Sequence, residues 1–125
     1  MAKISDWRKR MGRRGERLAR NVLEESGMEW LAGNYRHGHW EIDIVMRDGD
    51  ELCFVEVKTR SRPDGYRPAE AVGREKQRNV IRAAHGYMRA IGRPRMPCRF
   101  DIVEVQFSRG RLHSVNHIRN AFAER

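Results

Sequence analysis

Cysteine is scarce in this chain: Cys53 and Cys98 are the two among 125 residues. They are far apart and form no CxxC, so a zinc site built on thiolates is not expected. Cys53 sits in an apolar run and reads as a small buried hydrophobe. Long apolar stretches are lacking too. Runs stay as short as Cys53-Phe54-Val55, which excludes a bilayer-spanning helix. No apolar h-region follows the N-terminus, so no secretory signal is expected and the cytoplasm is the default compartment. Neither a Ser/His/Asp arrangement nor a Gly-rich phosphate loop stands out. Internal repeats and low-complexity segments are absent. Acids are in short supply, with 17 Asp and Glu against 26 Lys and Arg, a net charge of +9. So basic a chain suits a polyanion, nucleic acid before an anionic membrane surface. The length points to one domain with one core spanning residues 1–125.

What is present is periodic. Ser5 to Glu25 reads as a helix, with Ser5 or Asp6 as cap, Leu18, Ala19, Val22 and Leu23 as its apolar stripe, and Gly27 as its stop. Gly12 and Gly15 predict fraying or bending in its first half. That half carries Arg10, Arg13, Arg14 and Arg17 with few compensating acids, which favours a phosphate-contacting surface over a merely solvated face. Trp30–Arg36, Trp40–Arg47 and Glu51–Thr59 read as strands, the last two joined by the hairpin signal Asp48-Gly49-Asp50. A loop follows from Arg60 to Pro68, carrying Arg60, Arg62 and Arg67, which can grip a backbone. Gly73 to Ile91 is a second helix, ended by Gly92 and Pro94. Arg99–Phe107 reads as a central strand and Arg111–Val115 as a last one. Ile118, Ala121 and Phe122, at helical spacing, predict a docked turn. The order αβββαββ implies an α/β fold, a mixed sheet flanked by helices, with the second helix as a parallel crossover.

Strand side chains alternate between faces. Strict alternation puts Glu41 and Asp43 with Val45 on one face, and Ile42, Ile44 and Met46 on the other. On the next strand Glu56 and Lys58 share a face with Leu52 and Phe54. A two-residue loop at Gly49-Asp50 pairs Asp48 with Glu51, which brings Asp43 opposite Glu56 and Glu41 opposite Lys58. A loop at Asp48-Gly49 would pair Glu41 with Glu56 and still cluster the acids, whereas a three-residue loop would scatter them. Clustered Glu41, Asp43 and Glu56 repel one another unless a cation lies between them. Carboxylates suit Mg²⁺ or Mn²⁺, which polarises a phosphoryl group and acidifies a bound water. Lys58 can orient that water or neutralise developing charge. The plainer reading is a surface ion pair from Glu41 to Lys58. His37 and His39 could ligate a metal, but an HxH at a strand entrance is more often a solvated turn. Asp101, among apolar residues, needs a buried partner and reads as structural.

Asp43 followed by Glu56-Val57-Lys58 resembles the Asp…Glu-x-Lys signature of PD-(D/E)XK nucleases. Gly15-Glu16-x-x-Ala19, Glu41-Ile42-Asp43-Ile44-Val45, Phe54 to Arg60, Arg99-Phe100-Asp101 and His117 to Phe122 resemble the YraN family over nearly the whole chain. These are small bacterial proteins similar to archaeal Holliday-junction resolvases. The resemblance implies a restriction-endonuclease-like fold and a Mg²⁺-dependent endonuclease acting on DNA, with branched DNA as a candidate substrate. It adds Glu16 as one more acid near the metal and Lys76 as a phosphate contact. By analogy with two-fold resolvases it implies a homodimer. Trp40 departs from the pattern, where glycine is expected; it leaves the acids intact. The alternatives are a nucleic-acid-binding protein that keeps the fold without the chemistry and a basic adaptor for an acidic protein.

Overall fold

A computed structural model describes residues 4–61 and 72–124, with side chains from Lys9 onward. The elements are α1 (Ile4–Glu25), β1 (Glu29–His37), β2 (Trp40–Asp48), β3 (Glu51–Arg60), α2 (Arg74–Ala90), β4 (Cys98–Ser108) and β5 (Arg111–Phe122). The five strands form one sheet in the order β1-β2-β3-β4-β5. β3 and β4 run parallel, and the other neighbours are antiparallel. The parallel pair needs a crossover, and α2 supplies it. The expected mixed α/β architecture is what the chain adopts.

Each helix covers one face of the sheet. Ala19 and Leu23 of α1 pack with Ile44, Met46, Cys53, Val55, Val103, Val105 and Phe107. Val80, Ala84, Tyr87 and Met88 of α2 pack with Ile42, Val45, Leu52, Phe54, Phe100 and Ile102 on the other. The central strands are therefore apolar on both sides. Both helices stop in the same way. Gly27 N–H donates to Glu24 O and Met28 N–H to Leu23 O, and the same pair of bonds recurs from Gly92 to Arg89 and from Arg93 to Met88. That double closure needs a positive φ at the glycine, met at 97° and 72°.

Three expectations need correction. The first half of α1 neither ends nor breaks at Gly12 or Gly15, and Ser5 and Asp6 lie inside the helix. The tail from Ile118 is no docked turn: β5 runs on to Phe122, with Ile118 opposite Ile102 and Phe122 opposite Phe100. A register shift between Phe100 and Ile102, and a positive φ of 53° at Asn120, break the period of two and imitate helical spacing. Strict alternation also fails in β2. Ile42 belongs to the α2-side core and Ile44 to the α1-side core, so the strand changes face at Asp43.

Candidate active site

The β2–β3 turn sets the register. Asp48 pairs with Glu51, as expected, and the ladder climbs through Arg47↔Leu52, Met46↔Cys53 and Val45↔Phe54 to Ile44↔Val55. There the pairing ends. One step further, Asp43 Oδ2 accepts a hydrogen bond from the Val57 N–H at 2.8 Å. A side chain has taken over a backbone donor that the ladder would otherwise satisfy. The carboxylate thus lies in the gap between two diverging strands, which is also why β2 switches face.

The turn is braced from β4, the strand beside β3. Arg99 donates from Nη1 to Asp48 (2.8 Å) and Glu51 (3.0 Å), and from Nε to both oxygens of Asp101 at 3.1 and 3.2 Å. Asp101 is fully buried. His117 Nε2 lies 2.6 Å from its Oδ2, and the Asn120 N–H donates to Oδ1 at 2.9 Å. Burial alone would raise its pKa. The bonds from His117, Cys53, Asn120 and Arg99 win and hold it well below the usual carboxylate range. Asp101 is structural, as read from the sequence, and its network fixes the hairpin on which Asp43 and Glu56 stand.

Glu56 is only 2% exposed. Its Oε2 lies 3.6 Å from Lys76 Nζ at the start of α2. Its Oε1 is buried with no hydrogen-bond partner among the described residues. Burial first, then the charge on Asp43, pushes its pKa up to about 7, against the pull of Lys76 and Lys58. Asp43 is raised as well, chiefly by burial, against the Val57 hydrogen bond and the charge of Lys76. The common face expected for Asp43 and Glu56 is not what the strands give, because the ladder ends before reaching them. Asp43 lines a cavity beside α1 and Glu56 meets Lys76 of α2, yet the charges of Lys76 and Lys58 bear on both carboxylates.

On the α1 side a cavity of about 530 Å³ is lined by Met11, Gly12, Glu16, Asp43 and the chain from Val57 to Ser61. Lys58 and Arg60 stand on its wall. Glu16 faces Asp43: burial, then the Asp43 charge, raises its pKa, and Asn34 Nδ2 donates to its Oε2 at 3.3 Å. The approach of α1 depends on Gly15, where a Cβ would collide with Thr59 Oγ1 of β3. Gly15 is a point of contact rather than a weak spot in the helix.

Other expected residues land differently. Glu41 pairs with Arg36 across β1–β2 at 3.4 Å, not with Lys58. It acts on Asp43 only through its charge, and among the described residues no three acidic, His or Cys side chains converge on one point. Lys76, about half exposed, has Glu56 as an ion-pair partner. Arg14 is stitched down, with Nη1 donating to Gly110 O at 2.8 Å and the guanidinium 4.7 Å from the centre of the Phe107 ring. Arg10, Arg13 and Arg17 are exposed on α1. Arg62 and Arg67 lie outside the described residues. His37 packs against α2 at Gly86, where a Cβ would come within 2.5 Å of its ring. It stacks on Trp40, whose other neighbour is the Arg82 guanidinium at 5.2 Å. Trp40 thus joins the β1–β2 hairpin to α2. The Val57 N–H and Asn34 were not anticipated; no local motif announces either.

An open mixed sheet with a helix on each face, and acids set where β2 and β3 part, is consistent with a restriction-endonuclease-like fold. Membrane-spanning architecture gets no support from the helices, none of which is long and apolar enough to cross a bilayer among the described residues. The chain belongs to the Uncharacterised protein family UPF0102, the YraN family, whose profile matches residues 15–105. It is 45% identical over 117 residues to a UPF0102 protein of Chlorobium phaeobacteroides, covering 90% of this chain and 93% of that one. A UPF0102 protein of Chlorobaculum tepidum is 40% identical over 117 residues, covering 90% and 91%. One from Rhodococcus jostii is 42% identical over 113 residues, covering 90% and 95%.

Proposed function

We propose that this chain is a metal-dependent endonuclease that hydrolyses DNA phosphodiester bonds, with branched or structured DNA among its candidate substrates. The observation that carries the reading is the pair Asp43 and Glu56. The charge of Asp43 raises the cost of ionising Glu56, Asp43 is itself raised by burial, and Glu56 Oε1 is buried without a partner among the described residues. A buried, unsatisfied acceptor beside a second carboxylate fits a divalent cation, since Mg²⁺ needs only one or two protein carboxylates and fills its other positions with water and phosphate oxygens. Asp43 and Glu56 would hold it; Glu16 and Glu41 add negative charge nearby. When bound, the ion supplies a polarised phosphoryl group and a water of lowered pKa.

The chain's own residues do the rest. The Val57 N–H fixes the Asp43 carboxylate, and Lys76 favours the ionised form of Glu56. Lys58, on the cavity wall, is placed to offset charge developing on the phosphoryl oxygens. Arg13 and Arg17 on α1, with Arg60 at the cavity, supply the backbone contacts. By analogy with two-fold resolvases a homodimer is expected, and a monomer in sedimentation would remove that part of the reading.

Purified protein with Mg²⁺ or Mn²⁺ is expected to cut at least one member of a labelled panel of linear, flapped and four-way DNA. Asp43→Asn and Lys58→Ala are expected to lower the rate at least about 100-fold with an unchanged melting temperature. Intact substrates throughout would end the enzymatic reading. A second reading, a nucleic-acid-binding protein that keeps the fold without cleaving, draws on one observation: Glu56 already has an ion-pair partner in Lys76. It requires binding that ignores both chelator and Asp43→Asn.

A further inference from the structure

The outer face of α2 carries charge that the proposed site does not use. Arg74, Arg78, Arg82, His85 and Arg89 fall within an arc of about 80° on the helix and run about 22 Å along it, at 100° and 1.5 Å per residue. The four arginines are exposed and His85 is half-buried. Arg74, Arg78 and Arg89 make no hydrogen bond or ion pair among the described residues. Glu75 is the single acid of the helix, and no ion pair to it occurs among those residues.

Like charges one turn apart destabilise a helix. A solvated face normally interleaves acids to avoid this; here the helix's one acid, Glu75, lies about 20° outside the arc. Where the chain does bring an acid to the ridge, it comes from outside the helix. Glu124 Oε2 lies 3.3 Å from His85 Nε2, beside a cavity of about 410 Å³ lined by Arg74, Arg78 and Arg82. A carboxylate already stands where an anion is wanted. α2 packs on one face of the sheet, whereas α1, which carries the exposed Arg10, Arg13 and Arg17, packs on the other.

We infer that the outer face of α2 is a second binding surface for a nucleic-acid backbone, engaging a segment separate from the one at Asp43 and Glu56. A regular row of exposed guanidinium groups matches a phosphate backbone. This inference rests on the reading that the partner is nucleic acid, and is independent of whether the chain cleaves it.

The test is fluorescence anisotropy of the full chain with a labelled duplex of about 40 base pairs in EDTA, across a KCl series from about 50 to about 300 mM. The Arg74→Ala/Arg78→Ala/Arg89→Ala variant spares Arg82, which contacts Trp40. Its fold is checked by circular dichroism, and Mn²⁺ titration is expected to match wild type. The slope of log affinity against log salt is expected to fall by about 2 to 3, near 0.9 for each phosphate no longer neutralised. Affinity at about 100 mM salt is expected to fall at least about 10-fold. Glu124→Gln, which removes the resident acid, is expected to tighten binding about 2-fold or more. A triple variant with wild-type slope overturns the inference, and so does a wild type that binds polyglutamate as tightly as DNA or binds no DNA at the lowest salt. Should the triple variant behave as expected while no substrate is cut, the ridge stands and the endonuclease reading falls. Cutting with an unchanged slope gives the converse.

Discussion

A carboxyl group that keeps its proton to about pH 7 makes folding sensitive to pH in the opposite sense to an ordinary ion-paired acid. Glu56 is such a group, raised from an ordinary value of 4.5 to about 7. In the unfolded chain it ionises near 4.5; in the folded chain it holds the proton longer. Its contribution to stability is therefore complete below pH 4.5 and is lost as pH rises through 7. Glu56→Gln removes that dependence. In chelator, the stability of the variant relative to wild type should rise by about 3 kcal/mol between about pH 4 and about pH 8. Urea unfolding at the two pH values checks it, and a constant difference would place Glu56 in a wetter setting. Part of this was legible in the sequence. Asp43, Glu56 and Lys58 stand out in the sequence because charged groups among Ile, Val and Phe are expensive to bury. The Lys76 ion pair does not, because it joins residues distant in sequence through a crossover whose docking angle no local pattern specifies.

At the scale of elements, α1 is held by close contacts as well as by its apolar stripe. Gly15 meets Thr59, and Arg14 reaches Gly110 and Phe107. Gly15→Ala would gain up to about 1 kcal/mol in helix propensity and lose more by driving a methyl into Thr59. A net destabilisation of about 1–3 kcal/mol is expected, and adding Thr59→Ala should recover much of it. A double-mutant cycle by thermal melts reads the coupling; additive effects would mean that α1 sits further from β3. The sequence predicts bending at this glycine because it shows the missing side chain and not the strand that fills its place. The turn register was legible, since Asp-Gly-Asp between two β-rich runs favours a two-residue loop. The face switch at Asp43 was not. Alternation is a property of an intact ladder, and this one stops at Ile44↔Val55.

For the molecule as a whole, a charge of +9 is distributed unequally in purpose. Arg13, Arg14 and Arg17 are all exposed, but among the described residues Arg14 alone of the three is tied to the rest of the chain, through Gly110 and Phe107. Arg13→Ala/Arg17→Ala should weaken binding to a DNA duplex and lower its salt slope by about 2 with no change in melting. Arg14→Ala should do the reverse, costing about 1 kcal/mol of stability and leaving the slope nearly intact. Parallel titrations and melts separate the two; equal effects on binding would return Arg14 to the DNA-facing surface. Composition revealed the charge, and tertiary contacts decide which arginines remain available.

The brace on the β2–β3 turn has a consequence for synthesis. Asp48 is held by Arg99 and Arg119, which lie 51 and 71 positions later in the chain. A growing polypeptide carries Asp48 long before either guanidinium has left the ribosome. Half-made chains therefore hold Asp43 and Glu56 on an unsecured hairpin, and their alignment is completed only when the final strand emerges.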